Sequence, residues 1–123
     1  MGAEYVCIRS GDFRADIRLD SILEVKVASF RKLMRLMRGA EEENQTAIDH
    51  LGEYFSEATA EVKAQWAAAS QEFSSGWMNP KHRCLSRSQH LKNAELKANV
   101  KNAKARYDRV IKFQSIFKGE QNI

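Results

Sequence analysis

The chain has 123 residues, 43% of them hydrophobic and 29% charged, with a formal net charge of +4. That length supports one hydrophobic core, so a single domain over 1–123 is expected, and the composition is that of a globule, not a disordered tail. No apolar run reaches the ~18 residues that span a bilayer, no leader pattern opens the chain, and two cysteines are too few for a disulfide scaffold. A cytoplasmic protein that does not engage membrane is therefore expected.

Charge is segregated along the chain. Residues 1–40 carry eight basic and five acidic side chains, 41–80 one basic and eight acidic, and 81–123 eleven basic and three acidic. A functional reading has to use that separation.

Residues 1–19 read as a β-hairpin. Phe13, Ala15, Ile17 and Leu19 alternate with Arg14, Asp16 and Arg18, the period of a strand with one wet face, and Ser10-Gly11-Asp12 supplies the turn. One hairpin is marginal alone in water, so its apolar face must lie on helices or join another sheet.

Residues 20–38 read as the first helix. Ser21 and Glu24 have the spacing of a capping box, and Leu23, Val27, Phe30, Met34 and Met37 form one apolar face, with Gly39 as C-cap. The alternation of Ile22, Glu24 and Lys26 with Leu23, Val25 and Val27 leaves a competing assignment, a third strand over 22–27. Met34 and Met37 suit the core better than an adaptable contact surface.

From Glu41 to Gly76 there is no proline and one internal glycine, Gly52. Ile48, Leu51 and Phe55, then Val62, Trp66, Ala69 and Phe73, trace helical stripes, so 41–76 is one acidic helix or two meeting near Ser56. Asn79 and Pro80 mark a turn over 77–85. The last segment, 86–119, carries Leu96, Val100, Ala103, Tyr107, Val110, Gln114 and Phe117 at spacings of four and three, the seam of a coiled-coil-like helix. Thirty-three helical residues extend ~50 Å. A globule of this size is only ~35 Å across, so a second long helix must lie along the first. The fold class is α+β, predominantly α: an N-terminal β-hairpin, a helix, and a long antiparallel helical hairpin.

Two basic rows are candidate binding residues for nucleic acid or an acidic partner. Arg31, Arg35 and Arg38 line up on the first helix, and arginine suits bidentate contact with phosphate or carboxylate. Lys97, Lys101 and Lys104 form an i, i+4, i+7 row on the last helix, with Arg106 and Arg109 round the side. Asp108 continues that row, which favours a solvated face over a phosphate track. Asp49, Glu53, Glu57 and Glu61 form a matching acidic row that would set helix register, since exposed pairs contribute only ~0–1 kcal/mol each.

Trp66, Phe73 and Tyr107 lie on apolar stripes and suit the core better than base stacking; Trp77, by the turn, is the aromatic expected to be exposed, and Tyr5 is a further stacking candidate. His82, Cys84 and His90 lack the paired spacing of a structural zinc site, and no metal ligand or cofactor is assigned. No phosphate-cradling loop, dinucleotide fingerprint, nucleophile elbow or HExxH motif occurs, so no catalytic residue and no small-molecule substrate are assigned. The reading is a non-catalytic helical protein-interaction module, its partner another protein or a second copy of itself. The alternatives are a nucleic-acid-binding accessory protein and a small phage or mobile-element inhibitor of a nucleic-acid enzyme.

Overall fold

The computed structural model describes residues 5–81 and 84–119. Strands β1 (Tyr5–Ser10) and β2 (Phe13–Arg18) pair antiparallel as a two-stranded sheet, with Ser10 opposite Phe13 and Tyr5 opposite Arg18. The connection is Gly11-Asp12. Gly11 has φ +61° and, among the described residues, no non-glycine residue has positive φ, which is the signature of a II′ turn with glycine first. The alternation foreseen in β2 sets the inner face. It is Val6 and Ile8 of β1 that are fully buried there, while Ile17 packs from the side and Phe13, at the hairpin tip, is exposed.

The helix expected over 20–38 is shorter at its start. Leu19–Glu24 forms a 3-10 helix, Val25 and Lys26 are extended, and α1 runs Val27–Gly39. Neither the long helix nor the third strand over 22–27 forms. In a 3-10 turn residues three apart eclipse one another, so Leu19 and Ile22 both face the core, and Ile22 rather than Leu23 is fully buried. The Arg109 guanidinium donates to the carbonyls of Leu23 and Val25, taking acceptors that a continuous helix would have used. Arg18, not Ser21, occupies the N-cap position, and the Ser21 hydroxyl donates to Asp20 instead of closing a capping box. Phe30, Met34 and Met37 keep their expected inward face, all with no exposed surface.

Gly39 ends α1 without the left-handed cap anticipated for it. The last carbonyls of α1 are met by a side chain: the Asn44 amide donates to Met37 and Ala40 oxygens at 3.2 and 2.8 Å. Glu41, Glu42 and Glu43 therefore lie in a turn, and α2 begins at Gln45, running unbroken to Gly76. The stripe continues through Ser56 without interruption, so 45–76 is one helix. The last helix, α3, spans Arg87–Gly119. Its start is a reciprocal box: Ser86 Oγ accepts from the Gln89 amide at 3.3 Å, and Gln89 Oε1 accepts from the Ser86 amide at 2.9 Å.

α2 and α3 pack closely as a helical hairpin, so the fold is α+β and mostly α. The chain forms two compact units: one holds 5–58 and 109–119 of the described residues, the other 59–81 and 84–108. In the first, Phe30 of α1 meets Phe55 edge-on at 6.0 Å between ring centres and Phe113 at 4.7 Å, and Phe55 meets Phe117 at 5.7 Å. Val6, Ile8, Ile22 and Leu51 complete this core. Phe113 and Ile116 lie off the expected seam of α3 yet are buried, because α3 here is surrounded by more than one neighbour. The second unit is thinner. Val62 and Leu96 are its buried apolar residues, with Trp66 and Tyr107 half-buried at 5.1 Å from one another. Asn93, 5% exposed, clasps the backbone of Met78, accepting from its N–H at 3.0 Å and donating to its carbonyl at 2.7 Å. No helix among the described residues is long and apolar enough to cross a membrane.

Candidate functional site

Both strands of a two-stranded sheet have an outer edge, and that of β1 lies beside a cleft. A two-residue turn makes Ser10 and Phe13 a hydrogen-bonded pair, so Ile8–Ala15 and Val6–Ile17 are hydrogen-bonded too. The peptide groups of Tyr5, Cys7 and Arg9 then point away from β2. At Arg9 that edge is closed by a side chain. The Arg9 amide donates to Asn44 Oδ1 at 2.7 Å, and Asn44 Nδ2 donates to the Arg9 carbonyl at 2.7 Å, so one side chain imitates a neighbouring strand. Asn44 is only 1% exposed, and its amide serves Arg9, Met37 and Ala40 together. At Cys7 and Tyr5 the edge instead faces a cleft of about 240 Å³, whose other wall is Glu43, Thr46 and His50. A second cleft of about 180 Å³, between Leu19 and the α2 residues Glu53, Tyr54 and Glu57, shares His50 with the first.

The helical spacing of α2 explains why that wall is acidic. Its core stripe is Ala47, Leu51 and Phe55, and His50, Glu53, Tyr54 and Glu57 fall on one flank of it. Three carboxylates thus border the two clefts: Glu43, Glu53 and Glu57. The first cleft also holds a cation, Arg9, whose pKa is raised chiefly by hydrogen bonding with and attraction to Cys7 and in smaller part by Glu43 and Asp16, against desolvation. Tyr5 is 57% exposed at the rim.

The arginine row expected on α1 is split by the structure. Arg31 and Arg35 are exposed, but the Arg38 side chain keeps only 13% of its surface. Its guanidinium lies 5.2 Å from the centre of the Phe117 ring and donates to the Phe117 carbonyl at 3.3 Å, with Glu41 at 3.9 Å. Burial lowers its pKa and Glu41 opposes that shift. Arg38 therefore ties α1 to the end of α3. Arg109 is likewise engaged, over the Phe113 ring at 4.9 Å and on the carbonyls that end the 3-10 helix. On α3, Lys97 and Lys101 are exposed, while Lys104 pairs with Asp108 at 3.7 Å and lies over the Trp66 ring at 5.8 Å. Two members of the acidic row bond within their own helix, Gln45 to Asp49 at 3.0 Å and Gln65 to Glu61 at 3.2 Å.

Trp77, 37% exposed, is stacked on Phe73 at 5.0 Å. Trp66, Phe73 and Tyr107 are half-buried, between the core and platform readings. Of the weak metal triad, His82 lies outside the described residues, and no three His, Cys, Asp or Glu side chains converge among those described. The sheet-edge cleft was not found from sequence. Its signal was Asn44 directly before a helical stripe, a cap position, while half of the i+4 acidic row, Glu53 and Glu57, borders the second cleft. No protein-family model matches the chain, and no curated protein or solved structure matches it either.

Proposed function

We propose that this chain is a non-catalytic protein-binding module that receives an extended segment of its partner along the outer edge of β1. The observation that supports this most directly is the division of that edge. Asn44 closes it at Arg9, while the peptide groups of Cys7 and Tyr5 face the cleft beside α2. Main-chain pairing gives a strand-adding partner its affinity, and flanking clefts give specificity through alternate side chains.

Cys7→Pro tests this. Cys7 faces Asp16 in a non-hydrogen-bonded pair, so proline there removes an outward N–H and leaves the β1–β2 ladder intact. A partner held by the wild-type chain in pull-downs with nuclease present is expected to be lost with Cys7→Pro, at unchanged helical circular dichroism. Retention of that partner by the proline variant overturns the reading.

A second reading, nucleic-acid binding, is favoured by one observation. The start of α3 exposes Arg87, Lys92, Lys97 and Lys101 against one acid, Glu95. Phosphate contacts release counterions, so affinity for a duplex should fall steeply with salt, by a log–log slope of about −0.9 per phosphate contacted. Lys97→Ala with Lys101→Ala should flatten that slope by about two. Binding indifferent to salt removes this reading.

A further inference from the structure

We infer that the segment received at the β1 edge is a positively charged extended strand, one that sets lysine or arginine against the α2 wall. This rests on the strand-addition reading and adds the partner's chemistry to it. The closed end comes first. Asn44 occupies the peptide groups of Arg9, so a docking strand cannot pair there; it pairs at Cys7 and Tyr5 and continues past Leu19 into the second cleft.

At ~3.3 Å per residue, alternate side chains of that strand recur every ~6.6 Å and point to the same wall. That wall carries Glu43 at the closed end and Glu53 and Glu57 farther along, with His50 between the clefts. Glu43 shares the first cleft with Arg9, which leaves Glu53 and Glu57 as the carboxylates the strand would meet. Glu53 and Glu57 are four apart on one helix, so their charges reinforce one another and repel an acidic strand. An apolar or acidic strand would bring its backbone to the same edge but leave those two carboxylates partly desolvated without partners. Complementary charge removes that cost and steers the encounter.

The test uses the full chain and labelled, end-blocked heptapeptides in fluorescence anisotropy at low salt. One probe alternates valine and lysine, a second has glutamate in place of lysine, and a third is the lysine probe with alternate backbone nitrogens methylated. The lysine probe should bind about tenfold or more tightly than the glutamate probe. Glu53→Gln with Glu57→Gln should erase most of that ratio, and both Cys7→Pro and backbone methylation should abolish binding. Equal affinity for the lysine and glutamate probes overturns the charge inference and leaves the edge reading standing. Lysine-probe binding that survives Cys7→Pro and methylation reveals only an acidic patch and overturns strand addition. A dimer in sedimentation that Cys7→Pro dissolves makes a second copy the occupant and overturns the inference, as does no binding of the lysine probe at about 1 mM.

Discussion

Asn44 does more for this fold than its position after three glutamates suggests. Its two amide hydrogens are shared among three carbonyls, those of Arg9, Met37 and Ala40, and its oxygen takes the Arg9 amide. Buried groups stripped of their partners cost roughly 1–3 kcal/mol each, so Asn44→Ala should lose about 2–4 kcal/mol in urea unfolding. Asn44→Asp should be at least as harmful, because a carboxylate would face three carbonyl oxygens with no hydrogen to offer. The arginine row gives a second prediction at this scale. Arg31→Ala should change stability by less than about 0.5 kcal/mol, whereas Arg38→Ala should cost about 1–2, from the lost ring contact and the Phe117 bond. Arg38→Lys should not recover it, since an ammonium lacks the flat fork that stacks and donates together. The spacing of Arg31, Arg35 and Arg38 was legible in the sequence; the inward turn of Arg38 was not, because Phe117 is 79 residues away.

Elements were legible where one local signal ruled. The β-hairpin, the helical character of α2 and the long α3 follow from alternation, from stripe spacing and from the absence of proline, whereas the sequence left one helix or two open for 41–76 and the structure shows one, Gln45–Gly76. The stretch 19–27 was not legible, because its residues admit both a helix and a strand pattern, while the Leu23 and Val25 carbonyls accept from Arg109 of another element. The box that opens α3 has the sequence Ser86-Arg87-Ser88-Gln89, the same grammar sought at Ser21 and Glu24, where it does not form. Ser86→Ala should therefore cost about 1 kcal/mol in urea unfolding and fray the first turn of α3, visible as faster amide exchange near Gln89. Ser21→Ala should change stability little, by less than about 0.5 kcal/mol.

At the scale of the molecule, the two units differ in how much apolar surface holds them. The unit of 5–58 and 109–119 has a cluster of phenylalanines with helix and sheet around it, while that of 59–81 and 84–108 buries Val62 and Leu96 between two helices. Local opening follows buried contact, so amides in the α2 and α3 segments of the second unit should exchange faster than those around Phe30, Leu51 and Phe113. Hydrogen-exchange mass spectrometry checks this; uniform protection along α2 would contradict it. Periodicity, turn chemistry and composition by themselves determined the α+β class, the hairpin of long helices and the separation of charge, because each is a local pattern read within a few residues. Only the tertiary structure decided which cations are spent inside the fold, where the 3-10 helix interrupts the helical pattern, and that Asn44 closes half of an edge whose other half faces a cleft. Those outcomes depend on groups brought together from distant parts of the chain, and no local period records such meetings.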